Sequence, residues 1–203
     1  MSFAFASYND YGIVLSTDRC LTGTNEKGEK YLTSNNCRKL FLSRQGFALS
    51  YTGCSSVNGE PIPAKISDLW EMSSETVSLS DFFSRFMKEI SKVCKENIIF
   101  LAVGYENEIP KIYTATTLEP EIKEMNDLAY SGESDIGKKI LTSVPIVYNT
   151  MPLQDRLDFH RFVTRCVAKL QYYSDQLQTV SEECDIVALG KNGVLLSCIS
   201  ELY

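Results

Sequence analysis

With 203 residues, 44% of them hydrophobic and 23% charged, the chain has material for one well-packed domain and is awkwardly short for two. A formal net charge of -6, with lysines and arginines scattered along the sequence, argues against a nucleic-acid partner, and no apolar run of about 18 residues is present to span a bilayer. Seven cysteines without a CxxC pair, and a single histidine, exclude finger-type and multi-histidine metal sites and leave free, mostly buried thiols in a reducing cytoplasm as the expectation.

The opening residues lack the basic segment of an export signal. Residues 3–8 (FAFASY) and 12–17 (GIVLST) predict two strands joined by a tight turn at "NDYG". The stretch "TGTNEKGEK" reads as a polar loop. "RKLFLS" and "GFALSYTG" then predict two more strands, with a turn at Arg44 to Gly46. A Pro-containing segment from Cys54 to Glu71 leads into a short helical piece over Ile66 to Met72. The clearest helix follows, capped by Ser78 or Ser80, with Phe82, Phe83, Phe86, Met87, Ile90 and Val93 at helical spacing.

"NIIFLAVGYE" and "KIYTATT" predict a strand pair, and "MNDLAYSG" another short strand. The period turns helical at "SDIGKKILTSV". A long helix is predicted after Pro152, carrying Leu157, Phe159, Phe162, Val163, Cys166, Val167 and Leu170. "DIVALGKNGVLLSCI" closes as a hairpin through "GKNG". Strands, helices, strands, helices, strands in segregated blocks predict an α+β fold, with antiparallel sheets packed face to face and covered by helices, over residues 1–203 as one domain.

Particular residues in this pattern carry a family resemblance. "GIVLSTD" ends in Asp18, "RKLFL" supplies Lys39, "LSYTG" ends in Gly53, "AYSGES" supplies Ser131 and "TVSEECDIVAL" supplies Ser181. Over nearly its whole length the chain resembles the proteasome-type members of the N-terminal-nucleophile hydrolases, of the β type. That resemblance implies a four-layer αββα sandwich of two antiparallel sheets covered by helices. It implies an amidohydrolase, a peptidase, whose nucleophile is Ser2 after removal of Met1, with Asp18, Lys39, Gly53, Ser131 and Ser181 completing the site. It further implies a peptide or amide substrate, a homo-oligomer in the cytoplasm and no cofactor. Gln178 stands where the family has an aspartate, so Asp175 or Asp185 would have to substitute, and a side-chain pocket would involve Leu21, Cys37 and Tyr51.

The chemistry of those residue types is coherent. A free N-terminal serine can use its own α-amine, with an ordinary pKa of about 7.7 to 8.0, as general base, so no histidine is needed. An ammonium at Lys39 favours the alkoxide, Asp18 holds that ammonium, and the Gly53 amide can face an oxyanion. The bland readings stay beside these. Ser2 can be an inert strand opener, Asp18 and Lys39 a structural ion pair, and Ser131 and Ser181 turn residues. A catalytically inactive subunit with a structural or binding role is the alternative function; a self-cleaving or non-peptide amidase is a third.

Overall fold

A computed structural model describes residues 2–53, 56–57, 60–71, 78–132, 134–143, 146–174 and 177–199. The strands are β1 (Phe3–Asn9), β2 (Gly12–Asp18), β3 (Leu21–Thr24), β4 (Lys30–Ser34), β5 (Leu40–Leu42), β6 (Ala48–Thr52), β7 (Ser56–Val57) and β8 (Glu60–Pro61). After helices α1 (Ile62–Glu71) and α2 (Leu79–Val93) come β9 (Ile99–Glu106), β10 (Ile109–Thr116), β11 (Lys123–Met125) and β12 (Leu128–Gly132). Helix α3 (Ser134–Ser143), a 3-10 turn at Tyr148–Thr150, α4 (Leu153–Tyr173), β13 (Cys184–Gly190) and β14 (Gly193–Cys198) complete the chain.

The first sheet has the order β12-β1-β2-β13-β14 and the second β11-β10-β9-β6-β5, with antiparallel neighbours throughout. Side chains alternate across a strand, which decides what each sheet face meets. Ala4, Ala6, Ile13, Leu15, Val187 and Leu189 of the first sheet meet Leu40, Ala48, Leu101, Val103 and Ile112 of the second in one buried cluster. The opposite face of the first sheet sends Phe3 and Phe5 against Leu141, Val163 and Val167 of α3 and α4. The opposite face of the second sends Leu49, Tyr51, Phe100 and Ala102 against Phe82, Phe83, Phe86 and Ile90 of α2.

Two local features fix the helices. Ser78 caps α2 by accepting the Asp81 amide at 3.1 Å, which settles the choice between Ser78 and Ser80. Helix α1 begins earlier than its expected start at Ile66, because Pro63 in the first turn has its φ already set for a helix and needs no amide donor there.

The expected αββα sandwich of two sheets is corrected by this architecture. The described residues form a mostly antiparallel α+β fold with four helices, and besides the two five-stranded sheets it has two two-stranded ones, β3-β4 and β7-β8. The residues of "TGTNEKGEK" are therefore partly strand and not a loop throughout. They are too polar to bury either face, so they pair with each other outside the larger sheets. Helix α4 also differs: Phe162 and Leu170 are exposed at 57% and 47%, while Arg156, His160, Thr164 and Gln171 are buried. Each of these polar residues finds a partner: His160 the hydroxyls of Ser7 and Ser16 on the sheet below, Arg156 the Gly12 and Ser7 carbonyls, Thr164 the His160 carbonyl, and Gln171 the Thr179 and Val180 amides. Of the six described cysteines only Cys20 and Cys94 are buried; Cys54 lies outside the described residues.

Candidate functional site

Ser2 precedes β1 with the same parity as Ala4 and Ala6, so its side chain faces the second sheet. Asp18 ends β2 and Lys39 immediately precedes β5, which brings both to the same open end of the space between the larger sheets. All three are buried, Ser2 at 4%, Asp18 at 0% and Lys39 at 1% exposure.

The Lys39 ammonium spends its three protons locally. Nζ donates to Ser2 Oγ at 2.8 Å and to Asp18 Oδ1 and Oδ2 at 2.9 and 3.1 Å, and it also donates to the Cys20 carbonyl. Asp18 is in turn held by backbone amides. Oδ1 accepts from Phe3 at 2.9 Å, while Oδ2 accepts from Cys20 at 2.7 Å and from Ser181 at 3.4 Å. A buried ion pair is retained only where hydrogen bonds satisfy its remaining atoms, and here they do. The consequence is a fixed cation 2.8 Å from a hydroxyl oxygen, which lowers the energy of that oxygen as an alkoxide.

The other expected residues enter differently. Ser181 reaches Asp18 through its amide; its hydroxyl accepts from the Arg19 amide at 2.7 Å and donates to the Glu183 carbonyl at 2.7 Å. Ser131, on β12, accepts at 3.1 Å from the hydroxyl of Thr52, the residue before Gly53. Gly53 follows β6 with φ +126°, and a Cβ there would lie 2.7 Å from the Asn97 carbonyl oxygen. Asp185 accepts from Arg19 Nε at 2.7 Å. The Gln178 carbonyl accepts from Cys20 Sγ at 3.7 Å, whereas Met1 and Asp175 lie outside the described residues.

Two residues adjoin the site that the sequence alone does not single out. Thr52 reads there as an ordinary β-branched strand residue, and Gly132 as a turn residue next to Ser131. Gly132 has φ +94°, and a Cβ on it would fall 1.8 Å from the Ser2 carbonyl oxygen and 3.2 Å from Thr52 Cγ2.

Of the expected side-chain pocket, Tyr51 is packed beneath α2 and its hydroxyl meets Cys37 Sγ at 3.8 Å. Burial pushes the Cys37 thiol up, and burial followed by the Asp18 charge does the same at Cys20, so neither is primed as a thiolate. His160 is bound elsewhere, with Nε2 and Nδ1 at 2.9 and 2.8 Å from the hydroxyls of Ser7 and Ser16. Among the described residues, no three or more His, Cys, Asp or Glu side chains gather where a metal ion could be held. No helix among them is long and apolar enough to cross a membrane.

No family model matches the sequence, and no curated protein does. Solved structures similar in fold include Anbu from Hyphomicrobium sp. strain MC1 as a Gly-1 mutant, with TM-score 0.73 and 18% identity, over 98% of this chain and 87% of that one. A second form of Anbu from that strain gives TM-score 0.72 and 18% identity over 98% and 87%. Anbu from Yersinia bercovieri, described as an ancestral β-subunit, gives 0.70 and 14% over 92% and 80%. These matches correct the narrower expectation of a proteasome β-subunit-like N-terminal-nucleophile hydrolase, because the neighbours found are Anbu proteins at 14–18% identity. The motifs behind that expectation are single residues at strand ends, and a backbone arrangement persists long after such residues diverge. What is established is a likeness of fold to Anbu, described in one of these structures as an ancestral β-subunit.

Proposed function

We propose that the chain is an amide-bond hydrolase acting on peptides, with the Ser2 hydroxyl as nucleophile once Met1 is removed. The observation that carries this reading is the buried Lys39 ammonium at 2.8 Å from Ser2 Oγ, held in place by both oxygens of Asp18. In the reaction, Ser2 Oγ attacks the scissile carbonyl and its proton passes to the Ser2 α-amine, the general base. The oxyanion of the tetrahedral intermediate is received by the Gly53 amide. Collapse breaks the C–N bond, the ammonium of Ser2 protonates the leaving amine, and an acyl ester on Ser2 remains. Water, deprotonated by the same amine, then hydrolyses that ester. Lys39 stabilises the developing alkoxide, Asp18 fixes Lys39, and Ser181 supports Asp18 through its amide. No step calls for a cofactor.

Self-association and cytoplasmic residence belong to the same reading. Sedimentation analysis of the purified protein checks the first, with a monomer at all concentrations counting against it. The test of the chemistry is intact mass with N-terminal sequencing on protein from its native host, before and after a β-lactone probe. A chain that starts at Ser2 and gains one probe mass on that residue supports the proposal; retention of Met1 with no adduct overturns it.

A scaffold without activity is the second reading, favoured by one observation. The Ser181 hydroxyl is committed to the backbone of Arg19 and Glu183 and does not serve Ser2. Retained Met1 is the result that would select it.

A further inference from the structure

We infer that Thr52 is a positioning residue for the nucleophile, acting through Ser131 on the α-amine of Ser2; the inference rests on the function proposed above. Strand β6 sends Leu49 and Tyr51 toward α2 and Ala48 toward the first sheet, so Thr52, with the parity of Ala48, crosses toward the first sheet. On β12, Ala129 faces the same space, and Ser131 shares its parity. The two hydroxyls meet there, Thr52 Oγ1 donating to Ser131 Oγ at 3.1 Å, with both residues buried.

Ser2 is adjacent to that bond. Strand β1 pairs with β12 through Phe3 opposite Gly132 and Ala4 opposite Ser131, which makes Ser131 the diagonal neighbour of Ser2, at a Cα spacing of about 7–8 Å. A Cβ on Gly132 would lie within 3.2 Å of Thr52 Cγ2 and 1.8 Å of the Ser2 carbonyl oxygen, so the methyl of Thr52 and the backbone of Ser2 flank the same glycine.

A serine hydroxyl has one proton and two acceptor sites, and its rotor turns freely unless a partner fixes it. The Thr52 proton occupies one acceptor site of Ser131. That leaves its other lone pair and its proton for the amine of its diagonal neighbour Ser2, which on this reading must keep a lone pair aimed at Ser2 Oγ to act as base. A neutral hydroxyl does this without adding a charge, so the amine's protonation is set by hydrogen bonding and by Lys39. Thr52 is assigned no step of the reaction and acts through the Ser131 hydroxyl.

The test uses protein produced with Ser2 as its first residue. The α-amine is titrated by the pH dependence of its carbamylation with cyanate, read on the N-terminal peptide by mass spectrometry, and Ser2 acylation by a β-lactone is followed in parallel. Thr52→Val is expected to move the amine's apparent pKa and to slow acylation about tenfold, the scale of one lost hydrogen bond. Thr52→Ser, which keeps the hydroxyl, is expected to behave as wild type. In a Ser131→Ala background, Thr52→Val is expected to add nothing. An unchanged amine titration in Thr52→Val overturns the inference while wild-type acylation still upholds the hydrolase. If wild type is not acylated the hydrolase fails, and the carbamylation profiles still decide the role of Thr52. If Thr52→Val does not fold, Thr52→Ser decides: a profile moved as far as that of Ser131→Ala means that the methyl packing on Gly132 matters and not the hydroxyl, which also overturns it.

Discussion

Asp18 holds Lys39 with both carboxylate oxygens and is itself held by the amides of Phe3, Cys20 and Ser181, so the two charges do not depend on each other equally. Removing the cation by Lys39→Met leaves a carboxylate that still accepts three amides. Removing the anion by Asp18→Asn leaves a buried ammonium without its counter-charge, with the Ser2 hydroxyl, the Cys20 carbonyl and at most the one neutral amide oxygen of the new side chain as acceptors. Breaking a buried pair costs about 3–5 kcal/mol, and Asp18→Asn is expected to reach that range while Lys39→Met falls short of it. Both are expected to slow acylation of Ser2 by about 100-fold or more. Urea melts and β-lactone acylation rates check this. A Lys39→Met protein that folds and is acylated at the wild-type rate would remove Lys39 from the proposed chemistry.

Gly132 and Gly28 both have positive φ, +94° and +80°, but only one is hemmed in. A Cβ on Gly28 meets nothing within 4 Å, whereas on Gly132 it meets the Ser2 carbonyl oxygen at 1.8 Å. Gly28→Ala is therefore expected to lose about 1 kcal/mol from backbone conformation alone. Gly132→Ala is expected to lose well over about 2 kcal/mol and to abolish acylation, because Ser2 itself must move. Comparable denaturation midpoints for the two variants would contradict this.

The parts of the fold that could be read from sequence are those where one face is apolar. β1 and β2, α2, β9 and β10, and the span of α4 all follow from periodicity and turn residues. The β3-β4 hairpin gives no such signal, since both faces are largely polar; its turn is held locally by the Asn25 side chain, which accepts the amides of Lys27 and Glu29 at 3.0 and 2.9 Å. The buried Arg156 was equally hidden. It donates to Asn9 Oδ1 and, at 2.8 and 2.5 Å, to the Gly12 and Ser7 carbonyls, partners that come from a strand pair about 150 residues away. At the site, Asp18 and Lys39 are singled out in the sequence by the family resemblance of "GIVLSTD" and "RKLFL", since nothing in composition or periodicity pairs two charges 21 residues apart. Thr52 is not, since its partner Ser131 comes from the other sheet.

Ser181 separates support of the site from participation in it. Its hydroxyl accepts from the Arg19 amide and donates to the Glu183 carbonyl, both at 2.7 Å, while only its amide reaches Asp18. Ser181→Ala keeps the amide and leaves the Arg19 amide without that acceptor. It is expected to cost about 1–2 kcal/mol of stability and to reduce acylation of Ser2 by less than about fivefold. A loss of acylation as deep as that of Lys39→Met, in a protein of normal melting temperature, would assign the hydroxyl a direct part in the chemistry.

His160 gives the fold a defined acid limit. It is fully buried, stacked on Phe5 at a centroid distance of 4.0 Å, and bound to Ser7 and Ser16; burial, aided by the nearby Arg156 charge, holds its pKa well below 6.5. The imidazole is thus neutral in the folded chain and protonates once unfolding returns it to its ordinary value. Between that lowered value and 6.5 the unfolded state binds the extra proton, so the contribution is fully present above about pH 6.5 and is lost as pH falls. The slope from this one group approaches about 1.4 kcal/mol per pH unit in that window. His160→Gln, which has no titrating ring, is expected to be less stable at pH 7.5 but to lack this slope, so the two stability curves converge as pH falls from 6.5 toward 5. Denaturation midpoints at half-unit intervals test it. Parallel curves would mean that the ring takes up its proton in the folded state, and the acid limit would then have to come from the carboxylates.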